Sequence, residues 1–158
     1  MSNPLMDWER QTELSLAMVA LLRADGPAAI ARAQRWTDGW VGRSITFSAC
    51  MLMHEPARAM DVYGSVAQFE AMASAPTVEA HFGRGLATMF MRKAPEALAA
   101  FKAAATQAPS DPFVAFCLVA LTTGPSWPAA EQAEAAARFA AHADHPLHRA
   151  AAILFRTV

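Results

Sequence analysis

The sequence predicts an all-α chain of about four helix–turn–helix hairpins in series, closed by a C-terminal capping helix, as one domain over residues 1–158. Three observations carry that expectation. Alternating β-branched runs are missing, and Ala, Leu, Met, Glu, Gln and Arg dominate, all good helix formers. Pro27, Pro56, Pro95 and Pro128 each open an alanine-rich stretch and each follow a longer apolar run. Proline suits the first helical position, where its missing N–H costs nothing and its φ is already helical. Finally, Phe69, Phe101 and Phe139 each begin a small-residue segment that runs into a proline, at Pro76, Pro109 and Pro146. That spacing brackets the repeat length of helical-hairpin arrays.

These markers place the elements in chain order. A first helix over about 5–23 is followed by one opened by Pro27, over about 27–37. The second hairpin pairs about 42–54 with about 56–75, and the third about 77–92 with about 95–108. The fourth pairs about 112–122 with about 128–143, and the capping helix runs over about 147–157. The alternative arrangement of the same helices is an irregular bundle.

Composition bounds the function. The chain is 54% apolar and 17% charged, so it is not disordered by composition, and its apolar surplus leaves surface for a partner to cover. A net charge of −1 with interspersed signs builds no basic face for a phosphate backbone, so no nucleic-acid partner is expected. The densest basic cluster, Arg23, Arg32, Arg35 and Arg43, has Asp25 and Asp38 among it and reads as a solvated helix face. Cys50 and Cys117 lack metal-ligand spacing and sit in apolar runs, so they are expected to be reduced, buried and apart. The first residues carry no positive segment ahead of an apolar stretch, and the apolar run Phe113 to Leu121 is too short to span a bilayer. No membrane partner and a cytoplasmic location are the resulting expectations.

In the third hairpin, Gly85, then Ala97 and Phe101 at the spacing Ala-x3-Phe, then Ala104 and Pro109, resemble a tetratricopeptide repeat. His81, Arg84 and Thr88 stand where that pattern has an aromatic, Leu and Tyr. The fourth hairpin is looser, with Leu118 in place, Val119 for the glycine, and a turn lengthened by Gly124-Pro125-Ser126-Trp127. The first two hairpins match in helix–turn–helix shape alone. The resemblance implies a right-handed superhelix whose first helices line a concave groove. It assigns to that groove Phe47 and Met51, then Phe82, Leu86, Met89 and Phe90, then Phe113 and Phe116. It also places Leu14, Met18, Leu21, Leu22, Glu79 and Ala120 on the same face. Such a groove is apolar and suits a partner's apolar or amphipathic helix, with methionines as an adaptable lining. The competing reading makes this stripe ordinary core.

No catalytic constellation emerges. The sequence has no phosphate-binding glycine loop, HExxH, CxxC or Gly-x-Ser-x-Gly, so no enzyme activity and no cofactor are expected. Glu9 and Glu13 share a helix face beside Arg10 and read as solvated. His142, His145 and His148 with Asp144 form one suggestive cluster, but Pro146 breaks the helix between them. They read as helix-end capping and surface rather than as metal ligands. His54 and His81 read as polar edges of packed helices. The functional expectation is therefore a protein-binding adaptor or chaperone, similar in size and repeat content to the small helical-repeat chaperones of bacterial secretion systems. A self-associating subunit such as a homodimer is the alternative, and a small-molecule sensor or enzyme with a pocket between hairpins is the third.

Overall fold

The computed structural model describes residues 3–155. Among them the chain forms ten α-helices and one 3-10 turn, with no strand. They are α1 (Pro4–Leu22), α2 (Gly26–Ala33) with a 3-10 turn (Gln34–Trp36), α3 (Trp40–Leu52), α4 (Pro56–Asp61) and α5 (Val66–Ser74). After these come α6 (Val78–Phe90), α7 (Ala94–Gln107), α8 (Pro112–Leu121), α9 (Ala129–Ala140) and α10 (Pro146–Phe155). They fall into two compact units. The first runs up to Ala71 and resumes at His145, and the second is Met72–Asp144.

Local chemistry explains the helix ends. Proline stands in the first turn of α1, α2, α4, α7 and α8. Side chains cap six starts among the described residues: Asn3 accepts from Leu5 N, Asp25 from Ala28 N, Ser65 from Gln68 N, Thr77 from Ala80 N, Asp111 from both Phe113 N and Val114 N, and His145 from Leu147 N. Pro128 differs from the expected register. It is the extended residue before α9, not the helix's first residue.

The turns inside the first three hairpins share one geometry. Ala24, His54 and Arg92 each adopt a left-handed φ of 59–60° just past the helix end. In each turn the next residue's N–H bonds five residues back, Asp25 to Ala20 O, Glu55 to Cys50 O and Lys93 to Thr88 O, at 2.8–2.9 Å. The left-handed residue itself bonds three back, to Leu21, Met51 and Met89. This double closure is the Schellman motif, built here without the glycine that usually supplies it. The fourth hairpin lacks it: α8 ends at Thr122, and a longer link leads to α9.

In the first unit α1 packs on α2, α2 on α3, and α1 also on α3 and α10. Leu14, Ala17, Met18, Leu21, Ala29, Ile30, Ile45 and Ala49 form its core. A polar layer fastens α1 to the α2 region: Arg35 pairs with Glu9 at 3.1 Å, Arg32 with Glu13 at 3.2 Å, and Arg10 with Asp38 at 3.1 Å. Between them Trp36 is buried, with the Arg10 and Arg35 guanidinium groups 5.1 and 4.5 Å from its ring centre. Arg43 donates to the Thr37 and Asp38 carbonyls. The basic cluster and the Glu9–Glu13 face are thus partly exposed but engaged in fastening helices, which the reading as a solvated face did not include.

Three further expectations are corrected here. The helix expected over 56–75 is two, because Gly64 at φ +95° turns the chain between α4 and α5. The helix expected over 27–37 is α-helical only to Ala33 and ends in the 3-10 turn. The C-terminal helix, expected to cap the array, docks on α1 of the first hairpin, and its buried residues, Leu147, Ala150 and Ala151, are small enough to let two helices approach.

In the second unit α6, α7, α8 and α9 pack successively. Gly85 has no side chain because the Phe101 ring occupies the space: a Cβ there would lie 2.5 Å from ring carbon Cε1. Ala97, Ala100, Ala104 and Ala105 keep α7 slim on its buried face. The space beside Gly85 is thus filled by a ring of α7 rather than by its backbone.

Candidate partner-binding surface

The eight residues assigned to a groove separate into two groups. Phe82, Leu86, Phe113 and Phe116 are buried to 2% exposure or less. Phe82 lies edge-on to Phe101 with ring centres 5.8 Å apart, and Phe116 meets Phe139 at 5.6 Å. These four are core of the second unit and offer a partner nothing in this conformation. The reason is that α6 packs on α7, and α8 on both α7 and α9. Met89 and Phe90, at the end of α6, are half-buried.

Phe47 and Met51 behave differently. Phe47 is half-buried on α3 and stacks on Phe69 of α5, with ring centres 4.8 Å apart and planes 13° apart. Tyr63, in the turn after α4, closes the cluster at 5.7 Å from each ring. One turn along α3, Met51 is 45% exposed, and Val66 on α5 is 55% exposed. None of α5's residues is buried, although Val66, Phe69 and Met72 put apolar groups along it. A helix with that composition normally hides one stripe. Stacked aromatics left half in water, with a methionine and a valine beside them, form a surface that gains by being covered.

Tyr63 and Val66 were missed from sequence, and Phe69 was read only as a repeat marker. The signal was available in Gly64: a glycine inside an expected helix marks a break, and a break re-aims the aromatics on either side. A second apolar patch lies at the start of α1, where Leu5, Met6 and Trp8 are all more than half exposed.

Elsewhere, chemistry is sparse. A cleft between α7, α8 and α9, lined by Lys102, Thr122, Glu131 and Arg138 among others, has room for about 10 Å³, one water molecule. Small-molecule sites typically hold roughly 300 Å³ or more. Lys102–Glu131 and Arg138–Glu134 pairs engage its charges. Among the described residues no group of three His, Cys, Asp or Glu side chains could hold a metal ion. Of the histidine cluster, His145 caps the start of α10, accepting from Leu147 N at 3.0 Å, so its capping is at a helix start. His81 bonds Arg84, and His54 is exposed at the left-handed turn position. Neither cysteine is in a disulfide, both are buried, and burial raises both thiols, Cys117 well above the ordinary range. Burial likewise raises Asp111, opposed by the two backbone N–H groups it accepts and by His142. No described helix is long and apolar enough to cross a membrane.

Comparison with known protein families, curated proteins and solved structures finds no match for this chain.

Proposed function

We propose that this protein is a non-catalytic interaction module, a cytoplasmic adaptor or chaperone of tetratricopeptide-like hairpins, that holds an apolar or amphipathic helix of a partner protein. The observation that carries the reading is the partly exposed Phe47–Tyr63–Phe69 ring cluster flanked by exposed Met51 and Val66. The repeat reading draws support from the three matching hairpin turns at Ala24, His54 and Arg92. Of the groove expected from the resemblance, Phe47 and Met51 remain in the proposed contact surface, joined by Tyr63, Val66 and Phe69. A partner helix would lay anchors at i, i+4 and i+7 against the rings. The second reading, a homodimer through exposed apolar surface, is favoured by the separate Leu5, Met6 and Trp8 patch.

The test pairs mass in solution with binding. Amphipathic helical peptides selected against the wild-type protein should bind a monomer. Phe69→Ser and Met51→Ser should weaken that binding at least tenfold, in keeping with about 2 kcal/mol for an interface anchor, and move the urea midpoint little. A stable dimer that dissociates in Leu5→Ser or Trp8→Ser would establish the second reading. A monomer whose selected peptides bind equally well after Phe69→Ser would refute the proposed surface.

A further inference from the structure

We propose that His145 is a proton-sensitive clasp at the start of the C-terminal helix, and that acidification loosens that helix from its first turn. The ring makes two hydrogen bonds of opposite kind. Leu147 N lies 3.0 Å from Nδ1, and a backbone N–H can only donate, so Nδ1 is unprotonated. The ring proton of the neutral imidazole is therefore on Nε2, which donates to Gln11 Oε1 at 2.9 Å across to α1. The His145 carbonyl also accepts from His148 N, so this residue closes the first turn of α10 with main chain and side chain together. One residue thus both starts the helix and attaches it.

Protonation undoes the first role and leaves the second, since Nε2–H goes on donating to Gln11 in the imidazolium. A proton on Nδ1 would set two N–H groups against each other at Leu147 and remove the cap. The new positive charge would also sit at the amino end of α10, where the helix dipole is already positive. The surrounding charges do not reverse this. On α1, Glu9, Arg10 and Glu13 are engaged with Arg35, Asp38 and Arg32, and one turn after Gln11 stands the uncharged Ser15. Asp7, one turn before Gln11, and Asp144 beside His145 are both exposed, so water screens their attraction for an imidazolium. His142 precedes the ring in sequence, and His148 and Arg149 in the first turn of α10 add positive or titratable neighbours. The face that α10 buries is small, Leu147, Ala150 and Ala151, so the loss of the cap and the added charge weigh heavily. The clasp stands apart from the interaction surface proposed above and does not depend on it.

Because only the neutral ring can accept from Leu147, the first turn of α10 is held most firmly above the ordinary imidazole range, about pH 6.5, and loosens as the pH falls through and below it. The test follows amide protection of the whole protein between pH 7.5 and 5.5, corrected for intrinsic exchange. Residues 146–155 should lose at least tenfold in protection relative to the amides of α2 and α3. The midpoint should coincide with titration of the His145 ring, read by NMR, and not with that of His142 or His148. His145→Asn keeps a cap acceptor that does not titrate, and should abolish the pH response, whereas His142→Asn and His148→Asn should preserve it. Unchanged protection in the wild type, or an opening that tracks another histidine, would overturn the clasp. If His145→Asn is open at both pH values, the coincidence of midpoints in the wild type decides.

Discussion

The two units solve the same problem, how to pack thin helices, by different means. The second unit removes side chains: Gly85 and the alanine face of α7 admit the Phe101 ring, and the buried aromatics meet in pairs. The first unit adds polar fastening, with three ion pairs and a tryptophan between two arginines, and leaves its Phe47–Tyr63–Phe69 cluster half in water. Rings of the same chemistry are thus structural in one unit and accessible in the other. The contrast shows that an apolar stripe at helical spacing does not declare its role; what covers it does.

The largest expected effect tests that contrast directly. Phe101→Ala should cost about 3–5 kcal/mol, as for a fully buried aromatic, whereas Phe69→Ala, half-buried in the first unit, should cost well under half of that in the same urea titration. Equal losses would erase the distinction between core and surface rings. Gly85→Ala comes next. Its Cβ would press on Phe101, so overpacking should cost about 1–3 kcal/mol. In a Phe101→Ala background that cost should vanish, and its persistence would mean that backbone rather than the ring sets the limit.

A smaller effect asks what the units share. Glycine at Ala24, His54 or Arg92 should stabilise, because a side chain in the left-handed region costs roughly 1–2 kcal/mol, partly offset by glycine's greater freedom when unfolded. A net gain of about 0.5–1 kcal/mol each, additive across the three, is expected from thermal or denaturant midpoints. A loss at any of them would show that its side chain compensates the strain. The smallest effect concerns Asp111. Its carboxyl is raised above the usual 3.8 mainly by burial, so the native state holds that proton more tightly than the unfolded chain. The stability this contributes is present below the ordinary value and is lost as pH rises through the raised one. Asp111→Asn keeps the cap, so its difference from wild type should change with pH only across that acid window. A flat difference from pH 3 to 7 would argue against a desolvated carboxyl.

Much of the fold was legible because proline and capping chemistry act locally. Pro27, Pro56 and Pro95 start helices within a residue of where they were expected, and nearly every predicted helix exists. Gly64 was less legible, since an alanine-rich helix tolerates a glycine and only its φ reveals a break. The site was harder still. Phe82 and Phe116 share the apolar spacing of Phe47, and no periodicity tells which of them a neighbouring helix covers. The destination of α10 was hidden for a related reason. A small face of Leu147, Ala150 and Ala151 fits any slim helix, and the bond that selects α1 joins residues 134 positions apart.

That separation has a consequence for how the chain emerges during synthesis. At roughly 5–20 residues per second, Gln11 leaves the ribosome on the order of ten seconds or more before His145 exists to meet it. The second unit is contiguous and needs nothing made after Asp144, while the first stays short of one helix until the residues from His145 onward are made. The side of α1 that α10 covers is therefore bare on every nascent chain until α10 has been made, and a helix made late completes the first.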